Sequence, residues 1–209
     1  MITVIIPTLW KVDRLSTTLQ ELDACKYVGE IILIDNTERT KKIELNKLNH
    51  ILEGKNTYVT AAWNKGVRLA KFDKLLILND DTWFDWNSIA DIENWITDSV
   101  GMIGISKENY KLKKTAPIEF KPISNIVLAF ACAFFIHKKS WISIPEEMKI
   151  WGNDKWLFSA NRAIGKSNYR LYNFKVNGQI SKTVNFLRKN EKMCQIMTTD
   201  QRYRKKNGK

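Results

Sequence analysis

The sequence predicts an α/β domain with a mostly parallel central sheet flanked by helices. Short apolar runs rich in β-branched residues alternate with segments whose apolar residues recur at helical spacing. The strand-like runs are apolar throughout instead of alternating with polar residues, which is typical of strands buried on both faces of a parallel sheet. Four runs predict such strands, at residues 2–7, 30–34, 75–78 and 102–105.

Helical spacing of apolar residues predicts the connections between these strands. Three segments show it, at residues 12–22, 62–70 and 89–96, and small residues dominate the second of them. The resulting order, β-α-β-α-β-α-β, is typical of a parallel sheet with crossover helices. In sheets of this kind, ligands bind beyond the carboxyl ends of the strands.

The second half of the chain is less regular. Residues 107–122 are rich in lysine and contain two prolines, so they are predicted to form a loop or flap. We expect one domain over residues 1–185 and a basic C-terminal helix or tail over residues 186–209. The other predicted elements are a buried strand at 126–136, a short helix at 138–143 and a helix that begins after Gly152-Asn153.

Composition narrows the class of protein. The three cysteines are far apart, which argues against a disulfide framework and a cysteine-based zinc site and favours a reducing, cytoplasmic compartment. Met1 leads almost directly into a strand, so no signal peptide is expected. The longest apolar run is also shorter than the roughly 20 residues that a membrane span requires. The net charge of +12 favours an anionic partner, namely nucleic acid, an acidic membrane surface or phosphorylated small molecules. A basic surface without a specific partner is the alternative.

The segment Asn79-Asp80-Asp81-Thr82 follows a predicted strand and is the strongest candidate for a site. Two adjacent carboxylates at a strand end require a countercharge if they are buried. Mg²⁺ or Mn²⁺ would supply it, since such ions take one or two carboxylates together with the phosphate oxygens of a nucleotide. The alternative is a solvated turn that caps the following helix.

Two further acids follow or precede predicted elements. Asp35 ends the second strand, where a carboxylate can accept hydrogen bonds from a ribose or a base, although a plain turn residue is the alternative. Asp154 precedes a helix and is either a general base or a helix N-cap. Four tryptophans near these motifs could stack on sugars or bases, although most of the eight are expected in the core: Trp83, Trp86, Trp151 and Trp156.

These motifs occur together, in order, in one known family. The chain resembles the family 2 glycosyltransferases, which have the GT-A fold, and the resemblance covers about residues 1 to 185. The matching segments are residues 5–8 (IIPT), 34–36 (IDN), 56–66 (ending in Asn64-Lys65-Gly66), 77–82 (ILNDDT), 131–141 (ACAFFIHKKSW) and 153–154 (ND).

The resemblance implies an inverting transferase that uses a nucleotide-sugar donor, most simply a UDP-sugar, with Mn²⁺ or Mg²⁺. It places Asp81 as the main metal ligand with Asp80 beside it, and Asp154 as the base that deprotonates the acceptor hydroxyl. The other donor-binding residues that it implies are Pro7, Thr8, Asp35, Asn64, Lys65, Asn79 and Asp80.

Three positions depart from the family pattern. Asn79 stands where the family often has the first acid of its metal motif, and Asn153 stands where it has the first acid of the later pair. The family often has a late histidine near the metal or the phosphates, but residues 178–183 (GQISKT) contain none. Lys182 or a water would then take its place.

Two other function classes account for part of the sequence. A GT-A-like nucleotidyltransferase would normally carry a glycine-rich loop after the first strand, which Pro7-Thr8-Leu9-Trp10 does not provide. A non-catalytic nucleic-acid-binding protein would explain the charge, but not acids gathered at strand ends.

The acceptor is expected to be a polyanion, either DNA with a hydroxylated base or a surface glycan or anionic glycolipid. The second choice would place the protein at the periphery of a membrane surface. We expect a polyanion because the flap and the terminal segment are both basic. Their basic residues are Lys107, Lys111, Lys113, Lys114, Lys121, Arg188, Lys189, Lys192, Arg202, Arg204, Lys205 and Lys206.

Overall fold

An eight-stranded sheet forms the centre of the structure, a computed structural model that describes residues 1–38, 43–113, 116–178 and 191–207. A second, two-stranded sheet lies beside it. The strands are β1 Ile2–Thr8, β2 Val28–Asp35, β3 Leu48–Leu52, β4 Lys74–Leu78, β5 Thr82–Phe84, β6 Val100–Gly104, β7 Glu119–Ile123, β8 Ala133–His137, β9 Ser167–Tyr172 and β10 Val176–Gly178.

The helices cover both faces of the large sheet. They are α1 Leu15–Ala24, α2 Tyr58–Leu69, α3 Ile89–Glu93, α4 Asn153–Ala163 and α5 Glu191–Asn207, with short 3₁₀ turns at Trp86–Ser88, Lys107–Lys111, Phe130–Cys132 and Lys138–Ser140. The strand order in the large sheet is β3-β2-β1-β4-β8-β6-β9-β7, and β5 pairs with β10 in the small one. In the described part of the chain, no helix has the length and apolar character needed to cross a bilayer.

The parallel half of the sheet confirms the predicted fold class. β1, β2, β3 and β4 run parallel to one another, with β1 between β2 and β4, whereas β4 pairs with β8 on its other side in the antiparallel direction. Successive residues of β1 face opposite layers. Val4 and Ile6 pack in the layer of α1, whereas Ile5 packs in the layer of α2. A Cβ on Gly66 would come within 2.4 Å of the Ile5 side chain, so the small-residue face of α2 permits close contact between helix and strand.

Several predictions for the second half were wrong. The strand expected at residues 126–136 is confined to β8, because the chain turns at Ala129 (φ 69°) and forms a 3₁₀ turn before it. The expected helix at 138–143 is a single 3₁₀ turn. The flap at 107–122 contains the edge strand β7, which tolerates Pro122 because an edge strand leaves some backbone N–H groups unpaired.

Candidate active site

The carboxyl ends of β1, β2 and β4 meet at one edge of the sheet, as the sequence predicted. Thr8 is the register partner of Asp35, and the Asn36 amide donates a hydrogen bond to the Thr8 carbonyl (2.9 Å). The Thr8 hydroxyl donates to Asp80 Oδ2 at 2.7 Å. The three strand ends are therefore joined by direct hydrogen bonds, and Pro7 lies half-buried beside them.

Asp35 is fully buried and accepts hydrogen bonds from several groups. Thr37 donates its amide (3.1 Å) and its hydroxyl (2.6 Å) to Oδ1, Trp10 donates Nε1 to Oδ2 (2.6 Å), and His50 Nε2 lies 3.0 Å from Oδ2. Burial raises the pKa of Asp35, but the hydrogen bonds outweigh it, and the pKa lies below its ordinary value. Asp35 is therefore an ionised acceptor. Trp10 contacts it from the left-handed backbone region (φ 55°), which is strained for so large a residue.

The Asp80-Asp81 pair lies in a turn after β4. The Asn79 amide donates to the Cys132 carbonyl (2.9 Å), and the Thr82 amide donates back to the Asn79 carbonyl (3.2 Å). Asp81 is 9% exposed and Asp80 is half-buried. Gly178 of β10 covers the turn so closely that a Cβ there would lie 2.1 Å from the Asp81 carbonyl oxygen. Strand β10 therefore fixes the backbone that presents Asp81.

Cys132 and Tyr110 lie next to this turn, and sequence reasoning assigned them no role. The Tyr110 hydroxyl is 3.1 Å from the Thr82 hydroxyl and is hydrogen-bonded to the Cys132 thiol. Burial, with smaller contributions from the charges of Asp81 and Asp154, raises the pKa of Cys132 to about 11. Burial also raises the pKa of Tyr110. The charges of both acids act on Cys132, so Asp81 and Asp154 each lie within electrostatic range of this thiol.

Asp154 lies in the first turn of α4, and the N-cap interpretation is wrong. The N-cap residue is Gly152, whose positive φ (81°) turns the chain into the helix without any side-chain cap. Burial raises the pKa of Asp154, while the Lys155 amide (2.8 Å to Oδ1) and the charges of Lys155 and Arg204 oppose the rise. A carboxylate with a raised pKa is better matched to proton abstraction near neutral pH than an ordinary one.

Asn64 and Lys65 of α2 have protein partners. Asn64 Nδ2 donates to the Ile144 carbonyl (2.8 Å), while its Oδ1 accepts from Trp141 Nε1 (3.2 Å) and from the Ile144 amide (3.1 Å). Lys65 Nζ is 2.5 Å from Glu53 Oε1. The hydrogen bonds of Asn64 hold the segment that leads from β8 towards Asp154.

The four tryptophans near the acidic motifs have different environments. Trp86 is 7% exposed and donates Nε1 to Glu21 Oε2 (3.0 Å), so it belongs to the core. Trp156 packs against the other core layer. Trp83 and Trp151 are half-buried, and the Arg14 guanidinium lies 5.3 Å from the ring centre of Trp83.

Part of the expected site lies outside the described residues. The segment that lacks the family histidine continues from Gly178 into residues 179–183, which include Lys182. Lys114, Arg188, Lys189 and the side chain of Lys192 are also outside the description. Gly178, the last described residue of this segment, pairs with Thr82 next to the Asp81 turn.

A divalent ion fits the donor set of this turn. Among the described residues, no three His, Cys, Asp or Glu side chains converge as a metal-binding group. Mg²⁺, however, is commonly held by only one or two carboxylates together with the phosphates of its substrate. Asp81 and Asp80 supply that number of carboxylates, with Asp80 also accepting the Thr8 hydrogen bond.

Comparison with solved structures identifies glycosyltransferases. Residues 1–349 of TarS from S. aureus give a TM-score of 0.61 at 13% identity, covering 95% of this chain and 70% of that one. The same TarS fragment in complex with UDP gives 0.56 at 14% identity, covering 95% and 64%. The mannosyltransferase PcManGT from Pyrobaculum calidifontis, in complex with GDP-Man and Mn²⁺, gives 0.59 at 14% identity, covering 80% and 53%. In a longer TarS structure, this chain spans 38% of the length.

Sequence comparison adds no closer relative, since no protein-family model and no curated protein matches the chain. The structural likeness, at such low identity, concerns the fold. The structure therefore confirms an α/β domain with a mostly parallel sheet flanked by helices, and this is the fold of the GT-A glycosyltransferases.

Proposed function

We propose that this protein is a metal-dependent, inverting glycosyltransferase that takes a sugar from a nucleotide-sugar donor, a UDP-sugar in the first instance. The observation that supports the proposal is that the charges of Asp81 and Asp154 both act on the half-buried thiol of Cys132, whose carbonyl accepts the Asn79 amide at the end of β4. In an inverting transfer, the group that holds the departing diphosphate and the base that activates the acceptor must lie on opposite sides of the sugar. Asp81, through its metal ion, would be the first of these groups, and Asp154 would be the second.

The donor site is proposed along the ends of β1, β2 and β4. Thr8 and Asp80 are already hydrogen-bonded there, and Asp35 is an ionised acceptor one strand away. A uracil or ribose would contact Asp35 by exchanging with the Trp10 indole, whose N–H is a donor of the same kind. One structural neighbour is a complex with UDP and another a complex with GDP-Man and Mn²⁺, which supports a nucleotide-sugar donor for this fold.

The metal is proposed to be Mn²⁺ or Mg²⁺, with Asp81 as its main ligand and Asp80 beside it. When bound, the ion would neutralise charge that develops on the departing diphosphate. The buried turn, fixed by the hydrogen bond from the Asn79 amide to Cys132 and by the contact with Gly178, would hold Asp81 in one position for this purpose. Lys65 is proposed as an assisting cation that would have to leave Glu53 to reach a phosphate.

Asp154 is proposed as the general base. Its carboxylate would take the proton of the acceptor hydroxyl while the hydroxyl oxygen forms a bond to the anomeric carbon and the bond to the diphosphate breaks. Displacement in one step inverts the anomeric centre. The raised pKa of Asp154 supports this role, because a stronger base accepts the proton more readily.

The acceptor is proposed to be polyanionic. The basic residues of the flap and of α5 that the structure describes are exposed, except for Arg204, which is half-buried: Lys107, Lys111, Lys113, Lys121, Arg202, Lys205 and Lys206. Lys121 is already paired with Glu119 (2.8 Å), which leaves α5 as the denser cationic surface. DNA with a hydroxylated base and an anionic glycolipid share the charge that such a surface attracts.

A screen of nucleotide sugars with Mn²⁺ tests the proposal. Hydrolysis of the donor by water would be followed through release of the nucleoside diphosphate. We expect one UDP-sugar to be consumed and the activity to disappear with EDTA. Absence of hydrolysis and of UDP binding across the whole panel, with protein that is folded, would contradict the proposed function.

A further inference from the structure

Helix α5 binds the loop that leads to Asp154. Asp200 is fully buried and accepts hydrogen bonds from three consecutive backbone amides. Oδ1 accepts from Lys149 (3.0 Å), and Oδ2 accepts from Ile150 (2.6 Å) and Trp151 (2.8 Å). Hydrogen bonds to a charged acceptor are the strong kind, so this carboxylate determines the path of the loop.

The other side of the same loop is bound by α2. The Thr60 amide donates to the Lys149 carbonyl (3.2 Å), and the Thr60 hydroxyl donates to the Met148 carbonyl. Asn153 Nδ2 in turn donates to the Thr60 hydroxyl (2.7 Å). Thr60 and Asp200 thus hold the loop from opposite sides. Asp154 directly follows Asn153, the last residue that these hydrogen bonds fix.

The following turn of α5 lies against the start of α4. Tyr203 packs against the core, and Arg204 lies over Gly152, where an added Cβ would be 3.1 Å from Arg204 Cδ. The Arg204 charge acts on Asp154 from α5, as that of Lys155 does from α4. Helix α5 therefore contributes both a hydrogen-bonding anchor and a charge to the surroundings of Asp154.

We propose that Asp200 is a positioning residue for Asp154, and that α5 is a part of the active site instead of an appended tail. The proposal rests on the proposed role of Asp154 as the base. The proposed donor site lies elsewhere, at the carboxyl ends of β1, β2 and β4. A change at Asp200 should therefore lower the rate of the chemical step and leave the affinity for the donor unchanged.

Two substitutions of Asp200 give a graded test. Asp200→Asn retains one accepting oxygen and can keep the two hydrogen bonds that Oδ2 now accepts, whereas Asp200→Ala loses all three. Displacement of a reacting group by about 1 Å costs roughly 10²-fold in rate. We expect kcat for hydrolysis of the selected UDP-sugar to fall by about that factor in Asp200→Ala and by less in Asp200→Asn. Calorimetric affinity for UDP with Mn²⁺ should be unchanged in both variants.

Two comparison variants separate this inference from the proposed function. Gln201→Ala changes an exposed residue of the same helix to which no role is assigned, and it should keep native kcat. Asp154→Asn measures the base itself. If Asp154→Asn is inactive while both Asp200 variants retain native kcat, the positioning role alone is refuted. If Asp154→Asn retains native kcat, the base assignment fails and the positioning role fails with it.

Amide hydrogen exchange of the native protein gives a result that depends on no variant. The amides of Lys149, Ile150 and Trp151 should be protected to the same degree as the core of α4, since all three are bonded to a buried carboxylate. Exchange of these amides as fast as that of exposed loop amides would overturn the proposal, even if the Asp200 variants failed to fold.

Discussion

Gly178→Ala is expected to disable the candidate metal turn by displacing the backbone of Asp81. Gly178 has φ of 130°, and its added Cβ would lie 2.1 Å from the Asp81 carbonyl oxygen, whereas ordinary contacts begin at 3.4 Å. The backbone of Asp81 or of β10 must therefore move by about 1.3 Å. A displacement of about 1 Å at a reacting group costs roughly 10²-fold in rate, and the unfavourable φ adds about 1–3 kcal/mol of destabilisation.

The assay for Gly178→Ala compares turnover, UDP affinity with Mn²⁺, and thermal stability with those of a matched variant. Gly165 also has a positive φ (81°), but an added Cβ there would contact nothing within 4 Å. Gly165→Ala should therefore lose stability through backbone strain and keep native turnover per folded molecule. If Gly178→Ala bound UDP and turned over donor as well as Gly165→Ala does, the proposed support of Asp81 by β10 would be refuted.

Three further predictions concern the metal, the base and the acceptor. EDTA and Asp81→Ala should each abolish turnover, and full turnover in both would exclude Asp81 as a metal ligand. Because burial raises the pKa of Asp154, kcat/KM should fall on the acid side at a pH above the ordinary aspartate value of 3.8. Arg204→Gln should move this limb to higher pH, since the Arg204 charge lowers that pKa; an unmoved limb would argue against Asp154 as the titrating group. If the acceptor is DNA, binding to duplex DNA should weaken steeply as the salt concentration rises. If the protein binds anionic vesicles but not DNA at low salt, DNA is excluded as the acceptor and the anionic glycolipid remains.

The parallel half of the fold was predictable because its strands are buried on both faces. β1, β2 and β4 each contain a run of at least three consecutive apolar residues, so the hydrophobic pattern of the sequence identifies them. Strands β3, β7 and β9 include exposed or half-buried polar residues, and hydrogen bonding to neighbours distant in sequence makes them strands. The apolar run before β8 gave no sign of its turn, because Ala129 adopts a left-handed conformation that its residue type does not favour.

The acids of the candidate site were predictable from their places at strand and helix ends, but their surroundings were not. Cys132 and Tyr110 are ordinary core residue types whose contacts with the Asp81 turn are made across the fold. Asp200 lies among polar residues of a basic helix, where a solvated side chain is the usual expectation. Only the tertiary packing of α5 on the 149–151 loop shows that Asp200 is buried.

The most direct test of the account is the turnover of Asp154→Asn beside its affinity for donor. Asparagine can accept the same hydrogen bond from the Lys155 amide, so the fold and UDP binding with Mn²⁺ should be retained. Loss of the base should lower turnover by about 10²–10⁴-fold. Near-native turnover in a folded, UDP-binding variant would contradict the account, because Asp154 would then be only a structural residue of the first turn of α4.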